Sequence, residues 1–281
     1  GIIVGMVFGA FAKFSFFKED SVIPDFVRQW FDSLLPIMIL IAGGWLIVQV
    51  AGVDVAGAVQ AVFMPLQSAL TSPVGFVFFC FLKCFIYSMG ISTWVLTPVD
   101  EPVKLAVITA NLELVAAGIA TYQNLGIFTE TFMFCTYLWI GGVGCTLSLC
   151  LLMMFICKSS ELKALGRACV VPGIFNINEP IIFGAIAWNP LLMLPMWLQG
   201  IILPIVTYIF TKVIPFAPIP RIQFDLWYCP YPISTFIATQ GSITGVIFAI
   251  LTFVLSAVIW FPFLKAYDDQ KVKEETAAIK A

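Results

Sequence analysis

Long stretches without a charged side chain dominate the chain. Residues 33–53, 55–82, 131–157, 180–211 and 226–264 contain no Asp, Glu, Lys or Arg. The ~30 Å hydrocarbon core of a bilayer takes about 20 apolar residues in a helix, and every one of these runs is long enough. A soluble core helix carries a polar stripe every three or four residues, and these runs lack one. The pattern predicts an all-α integral membrane protein. Residues 1–17 read as the end of a spanning helix. Residues 18–32 are mixed, with Ile23, Phe26, Val27, Trp30 and Phe31 at helical spacing; this is the pattern of an amphipathic helix at the interface. Spans are predicted over 34–53, 74–95, 131–157, 191–211 and 243–264. Residues 55–67 read as a short second dip, and Thr71-Ser72-Pro73 as a break. Residues 97–130 are less apolar, 158–167 form a polar loop, 213–232 form a Pro- and aromatic-rich connection, and 265–281 form a solvated tail.

The basic residues give an orientation. Lys158, Lys163 and Arg167 make the most basic short internal connection, and the tail holds Lys265, Lys271, Lys273 and Lys280. The positive-inside rule puts both in the cytoplasm, so an even number of crossings lies between them. Two spans already do. Residues 168–188 are therefore expected to enter and leave on the same side, as a re-entrant hairpin.

Composition narrows the function classes. The chain is 61% hydrophobic and 11% charged, against about 25% charged in a soluble domain. A net charge of −2 and the lack of a basic cluster exclude a nucleic-acid binder. Eight cysteines occur without a CxxC pair, and histidine is absent. They read as small buried thiols rather than as a metal set or disulfides. No metal and no cofactor are expected. The first residue is glycine, already within an apolar stretch, so residues 1–281 are expected to be a single transport domain, the C-terminal portion of a longer chain.

The chemistry concentrates at residues 172–184. Glu179 stands there in a nearly unbroken apolar stretch. A carboxylate at mid-membrane costs about 2.5–3.5 kcal/mol, so it must face protein or water. Pro180 discourages helix at Asn178-Glu179, and Pro172-Gly173 is an earlier break. Broken backbone at membrane depth belongs in a protein interior or along a cavity, and discontinuous helices are where transporters bind substrates. A carboxylate accepts from hydroxyls, while the amides of Asn176 and Asn178 each donate and accept. That is the chemistry of a sugar site. One carboxylate and two amides make a poor transition-metal set. The competing reading is a helix-capping Asn-Glu pair in a polar loop.

The run Pro172-Gly173-Ile174-Phe175-Asn176-Ile177-Asn178-Glu179-Pro180-Ile181-Ile182-Phe183-Gly184, followed by Trp188-Asn189-Pro190, resembles the signature of a known family. It is the membrane (IIC) component of the phosphotransferase-system permeases for lactose, cellobiose and diacetylchitobiose. Residues 23–36, 141–149, 158–167 and 261–270 resemble further family stretches in the same order. The likeness covers essentially the whole chain, and family members extend further at the N-terminus. The resemblance implies a multi-pass protein of the bacterial cytoplasmic membrane with a cytoplasmic C-terminus, and a homodimer. It implies uptake of a β-linked disaccharide of the cellobiose, lactose or chitobiose type, with phosphate supplied by a soluble IIB partner. It makes Glu179 the hairpin glutamate that contacts the sugar hydroxyl to be phosphorylated. Asn111 resembles a family asparagine in the same region; otherwise it reads as a solvated loop residue.

One position departs from the family pattern. Gly90-Ile91-Ser92-Thr93 stands where family members have a "GIHG" stretch, so Ser92 replaces a histidine. A serine hydroxyl can bond a sugar but does not accept a proton near neutral pH as imidazole does. Two alternatives follow: a sugar transporter independent of phosphorylation, and a sugar-sensing membrane regulator. Three further features read blandly. Trp227 and its aromatic neighbours suit an interfacial belt more than a sugar lid. Asp100-Glu101 suits a solvated turn. Lys83 suits a snorkelling lysine, with a buried partner such as Glu113 as the minority reading.

Overall fold

The computed structural model describes residues 2–17 and 24–280 and is helical, with no strand among them. It divides into two compact units, residues 1–61 and 62–281. In the first, α1 (Ile2–Phe11) is followed by α2 (Asp25–Trp45), which continues as a π turn over Leu46–Val50. The Phe16 amide donates to Asp32 Oδ1 at 2.8 Å, and the Phe17 and Phe31 rings meet edge-on at 5.5 Å. Of the expected interfacial helix, residues 18–23 lie outside the described residues. Residues 25–32 run without interruption into the apolar stretch as one helix.

Helix α3 (Val55–Thr71) ends at the foreseen break. Ser72 caps α4 (Pro73–Ser88) by accepting from the Gly75 amide at 3.0 Å, and Pro73 occupies the first turn, where its missing N–H is harmless. The chain turns by 90° between Pro65–Thr71 and Pro73–Ser88. A 3₁₀ turn (Thr93–Leu96) leads into α5 (Thr97–Ala116), then α6 (Glu130–Cys135), α7 (Thr146–Phe155) and α8 (Ser160–Ile174). A short α9 (Glu179–Ile181) with a π turn (Ile182–Ile186) precedes α10 (Pro190–Tyr208), α11 (Ile233–Ala238) and α12 (Ile243–Lys280). Val27–Val50, Pro190–Val213 and Ile243–Ala278 are long and apolar enough to cross a bilayer, and the bent α3–α4 pair adds a fourth candidate.

Three expectations change. The charge-free stretch 131–157 is two short helices separated by irregular backbone over 136–145, not one span. Gly141, Gly142 and Gly144 hold φ of 85°, 93° and 89°, and Cys145 holds 52°; these left-handed conformations end helix and favour glycine. The supposed loop 158–167 is mostly the first turns of α8. The tail is no free solvated segment: α12 runs on to Lys280, with Leu264 and Asp268 buried.

Close helix contact depends on small residues. A Cβ on Gly200 of α10 would sit 2.8 Å from the Phe81 Cα of α4. One on Gly166 of α8 would sit 2.7 Å from the Met154 amide nitrogen of α7 and 2.9 Å from the Cys150 carbonyl oxygen. Backbone atoms cannot swing aside as a flexible side chain can. Overpacking typically costs about 1–3 kcal/mol, so Gly166→Val is expected to lower the thermal midpoint of the detergent-solubilised protein. An unchanged midpoint would show that α7 and α8 are not held at that distance.

Candidate functional site

The two stretches of broken backbone meet. Helix α8 closes with Phe175 as C-cap and Asn176 at φ 60°. The Ile177 amide donates to Pro172 O at 3.0 Å, and the Asn176 amide to Gly173 O at 3.0 Å. This is the Schellman pattern, with asparagine in the left-handed position usually held by glycine. Asn176 Oδ1 accepts from the Gly141 amide at 2.7 Å, and its Nδ2 donates to the Trp227 carbonyl. Asn178 Nδ2 donates to the Val143 carbonyl at 2.9 Å, and its Oδ1 accepts from the Tyr87 hydroxyl at 3.3 Å. Gly142 is required here, because its Cβ would fall 2.4 Å from Asn178 Cγ. Both asparagines are buried, and each amide has protein partners at both ends.

Glu179 follows directly, exposed at the first residue of α9. It lines a cavity of about 440 Å³ together with Tyr87, Trp94, Glu101, Lys104, Glu130, Asp225 and Trp227. That volume lies in the range of about 300–1,000 Å³ typical of small-molecule sites. Tyr87 shares this lining with Glu179, and its ring packs edge-on against Phe183 at 6.2 Å.

The wall formed by α4, α5 and α6 is charged, with Lys83, Asp100 and Lys104 buried in it. Lys83 Nζ lies 2.6 Å from Asp100 Oδ2, with side-chain exposures of 5% and 1%. It also sits 5.3 and 5.4 Å from the ring centroids of Phe79 and Phe134. Lys104 Nζ is 2.6 Å from both Glu101 and Glu130 and 3.7 Å from Asp100. Asp225 accepts from Thr131 Oγ1 at 3.3 Å and from the Gln223 amide.

The structure thus brings Glu179, Asn178 and Asn176 to one cavity and leaves two sequence candidates outside its lining. Ser92 is exposed as N-cap of the 3₁₀ turn, where its hydroxyl accepts from the Trp94 amide at 3.4 Å. Asn111 is buried, not solvated. It pairs with Gly126 in both directions, accepting from its amide at 2.7 Å and donating to its carbonyl at 2.8 Å. Asp100 is not in a solvated turn; it is the buried partner of Lys83, a role that Glu113 does not take. Trp227 lines the cavity instead of sitting only in an aromatic belt. Sequence reasoning missed Tyr87, Lys104, Glu130 and Asp225. The available signal was Lys83 itself, since a lysine in an apolar run calls for a carboxylate on a neighbouring helix. The cysteines are free thiols, with Cys229 part-exposed and the others buried. No cluster of metal-ligating side chains occurs among the described residues.

Apolar helices long enough to span a bilayer, together with a charged cavity bounded by broken helices within residues 62–281, define an integral membrane protein with a transporter-type fold. The sequence model described as "Phosphotransferase system, EIIC" matches residues 1–200. The chain belongs to that family. It is 33% identical over 261 residues to the lactose-specific EIICB component of Lactococcus lactis subsp. lactis, covering 90% of this chain and 44% of that protein. It is 40% identical over 152 residues to the cellobiose-specific EIIC component of Geobacillus stearothermophilus, covering 54% and 33%. The crystal structure of ChbC, the IIC component from the N,N'-diacetylchitobiose-specific system, superposes with a TM-score of 0.71 at 30% identity. That match covers 98% of this chain and 64% of ChbC. The chain spans about half the length of the curated relatives it matches.

Removing one partner of a buried ion pair typically costs about 3–5 kcal/mol, whereas replacing both by apolar residues is often neutral. Lys83→Met is therefore expected to lower the thermal midpoint strongly, and Lys83→Met combined with Asp100→Leu to restore much of it. A single variant as stable as the parent would show that the pair is not closed in the folded protein.

Proposed function

We propose that this chain is the sugar-conducting part of a phosphoenolpyruvate-dependent phosphotransferase-system permease, importing a β-linked disaccharide of the cellobiose, lactose or chitobiose type. One observation carries the reading: Glu179 stands exposed at a helix break, facing a cavity of ligand size. The flanking asparagines are engaged with protein, so the carboxylate is the group of the break left to accept from a sugar hydroxyl. Trp227 and Trp94 in the lining offer aromatic faces to an apolar ring face. Asn176 and Asn178 serve the site from behind, by holding the break. Relatives described as lactose- and cellobiose-specific components support the sugar class. Those described as EIICB components support a IIB partner that delivers the phosphoryl group. The phosphorylated sugar is too charged to return across lipid, which makes uptake directional. The same reading places the protein in the bacterial cytoplasmic membrane as a homodimer, with residues 265–281 on the cytoplasmic side.

A second reading rests on Ser92, which stands where the family histidine is expected and is not among the residues that line the cavity. It makes the protein a transporter independent of phosphorylation, or a sugar-sensing membrane regulator. Uptake of radiolabelled cellobiose with and without a cognate IIB separates these. Internal sugar phosphate that depends on IIB supports phosphotransfer. Free internal sugar regardless of IIB supports the transporter, and binding without flux supports the sensor. In any of the three, Glu179→Gln removes a charge-assisted hydrogen bond worth about 1.5–3 kcal/mol, and cellobiose affinity should fall about 10- to 100-fold. Unchanged affinity would remove Glu179 from the site.

A further inference from the structure

Helix α12 is 38 residues long, or ~57 Å at 1.5 Å per residue. About 20 residues cross a bilayer core, so the part after Leu264 projects beyond it. This projection lies against the start of α8. Asp268, Lys271 and Glu275 are three and seven residues apart and share one helix face. Asp268 Oδ2 accepts from the Lys158 amide at 2.8 Å, and Asp268 Oδ1 from the Ser159 amide at 2.8 Å. Glu275 Oε1 accepts from the Ser159 hydroxyl at 2.7 Å and the Glu161 amide at 3.0 Å, and Oε2 from the Ser160 amide at 3.2 Å. Lys271 pairs with Glu161 at 3.1 Å. Ser159 Oγ accepts from the Leu162 amide at 3.2 Å, so the free N–H groups of the first turn of α8 all find partners.

The opposite end of α8 is the Asn176 turn that leads to Glu179. A 15-residue helix is a rigid rod, so holding its start limits where its end can lie. We propose that the 268–275 stretch of α12 is a built-in clamp on α8, with Asp268 and Glu275 as positioning residues that hold the Asn178–Glu179 break in its sugar-accepting place. The proposal rests on the reading of Glu179 as part of the sugar site. Two carboxylates at a helix N-terminus also complement its partial positive charge. The Glu161 amide, the Ser159 hydroxyl and the Ser160 amide hold the Glu275 carboxyl down at about 2, so that carboxylate stays charged at neutral pH.

The test is binding of radiolabelled cellobiose to the purified chain in nanodiscs, with the number of sites per protein measured alongside affinity. Asp268→Ala combined with Glu275→Ala should weaken affinity by at least about fivefold, the low end of typical coupling between sites, with the site count unchanged. Glu275→Gln keeps an accepting oxygen and should retain most of the affinity. Glu274→Gln alters a neighbour that pairs with Gln270 and Lys271 among the described residues and should change nothing. A folded double variant with parental affinity overturns the clamp. Linkage is reciprocal, so saturating cellobiose should also slow amide hydrogen exchange at residues 159–161 of the unmodified chain. If the double variant does not fold, unchanged exchange there overturns the clamp instead. Glu179→Gln separates the two ideas. Its loss of binding beside unaffected clamp variants rejects the clamp alone, while its unchanged binding rejects the site and the clamp with it.

Discussion

The cross-bracing of two broken backbones by two asparagine side chains is the constraint on which the site depends. Helix breaks expose peptide groups that lipid cannot satisfy. Here residues 136–145 and 175–178 are brought together, and Asn176 and Asn178 reach across to the Gly141 amide and the Val143 carbonyl. An amide suits this task because it donates at one end and accepts at the other. Asn176 does more, since it also adopts the left-handed conformation that turns the chain at the end of α8. A third contact, to the Trp227 carbonyl, ties the distant 213–232 connection to the same point. Glu179 takes its position from this knot.

The charged wall obeys a related rule. Lys83 and Lys104 are each buried, and each has a carboxylate at 2.6 Å. Isolated, any of these charges would be costly at depth; joined, they form a network whose members fix one another across α4, α5 and α6. Lys104 is central, because it reaches carboxylates on two helices. This part of the cavity lining is therefore polar but already paired.

Much of this was legible in the sequence. The charge-free runs gave the membrane class, Thr71-Ser72-Pro73 marked the break at which the chain bends by 90°, and Glu179 among prolines and asparagines marked the broken segment that lines the cavity. Other parts were hidden for physical reasons. Residues 131–157 satisfy every criterion of a span by hydropathy, and only their glycines, held at positive φ, show that the backbone is irregular. Lys83 called for a partner, but choosing Asp100 over Glu113 requires knowing how α4 and α5 lie together. The tail residues Asp268 and Glu275 looked solvated because nothing local marks the start of α8, more than a hundred residues away, as their target. The asparagines were singled out for their capacity to donate and accept, and the structure shows that capacity used on protein groups, chiefly backbone.

That division of labour bears on how the site distinguishes ligands. A buried polar group left unpaired by a poor ligand gives strong discrimination, but Asn176 and Asn178 already have protein partners. In the proposed site they would contribute geometry more than selectivity. Selectivity then falls to groups whose partners are absent or replaceable. In the proposed site those are Glu179, which is exposed, and the aromatic faces of Trp94 and Trp227 in the cavity lining.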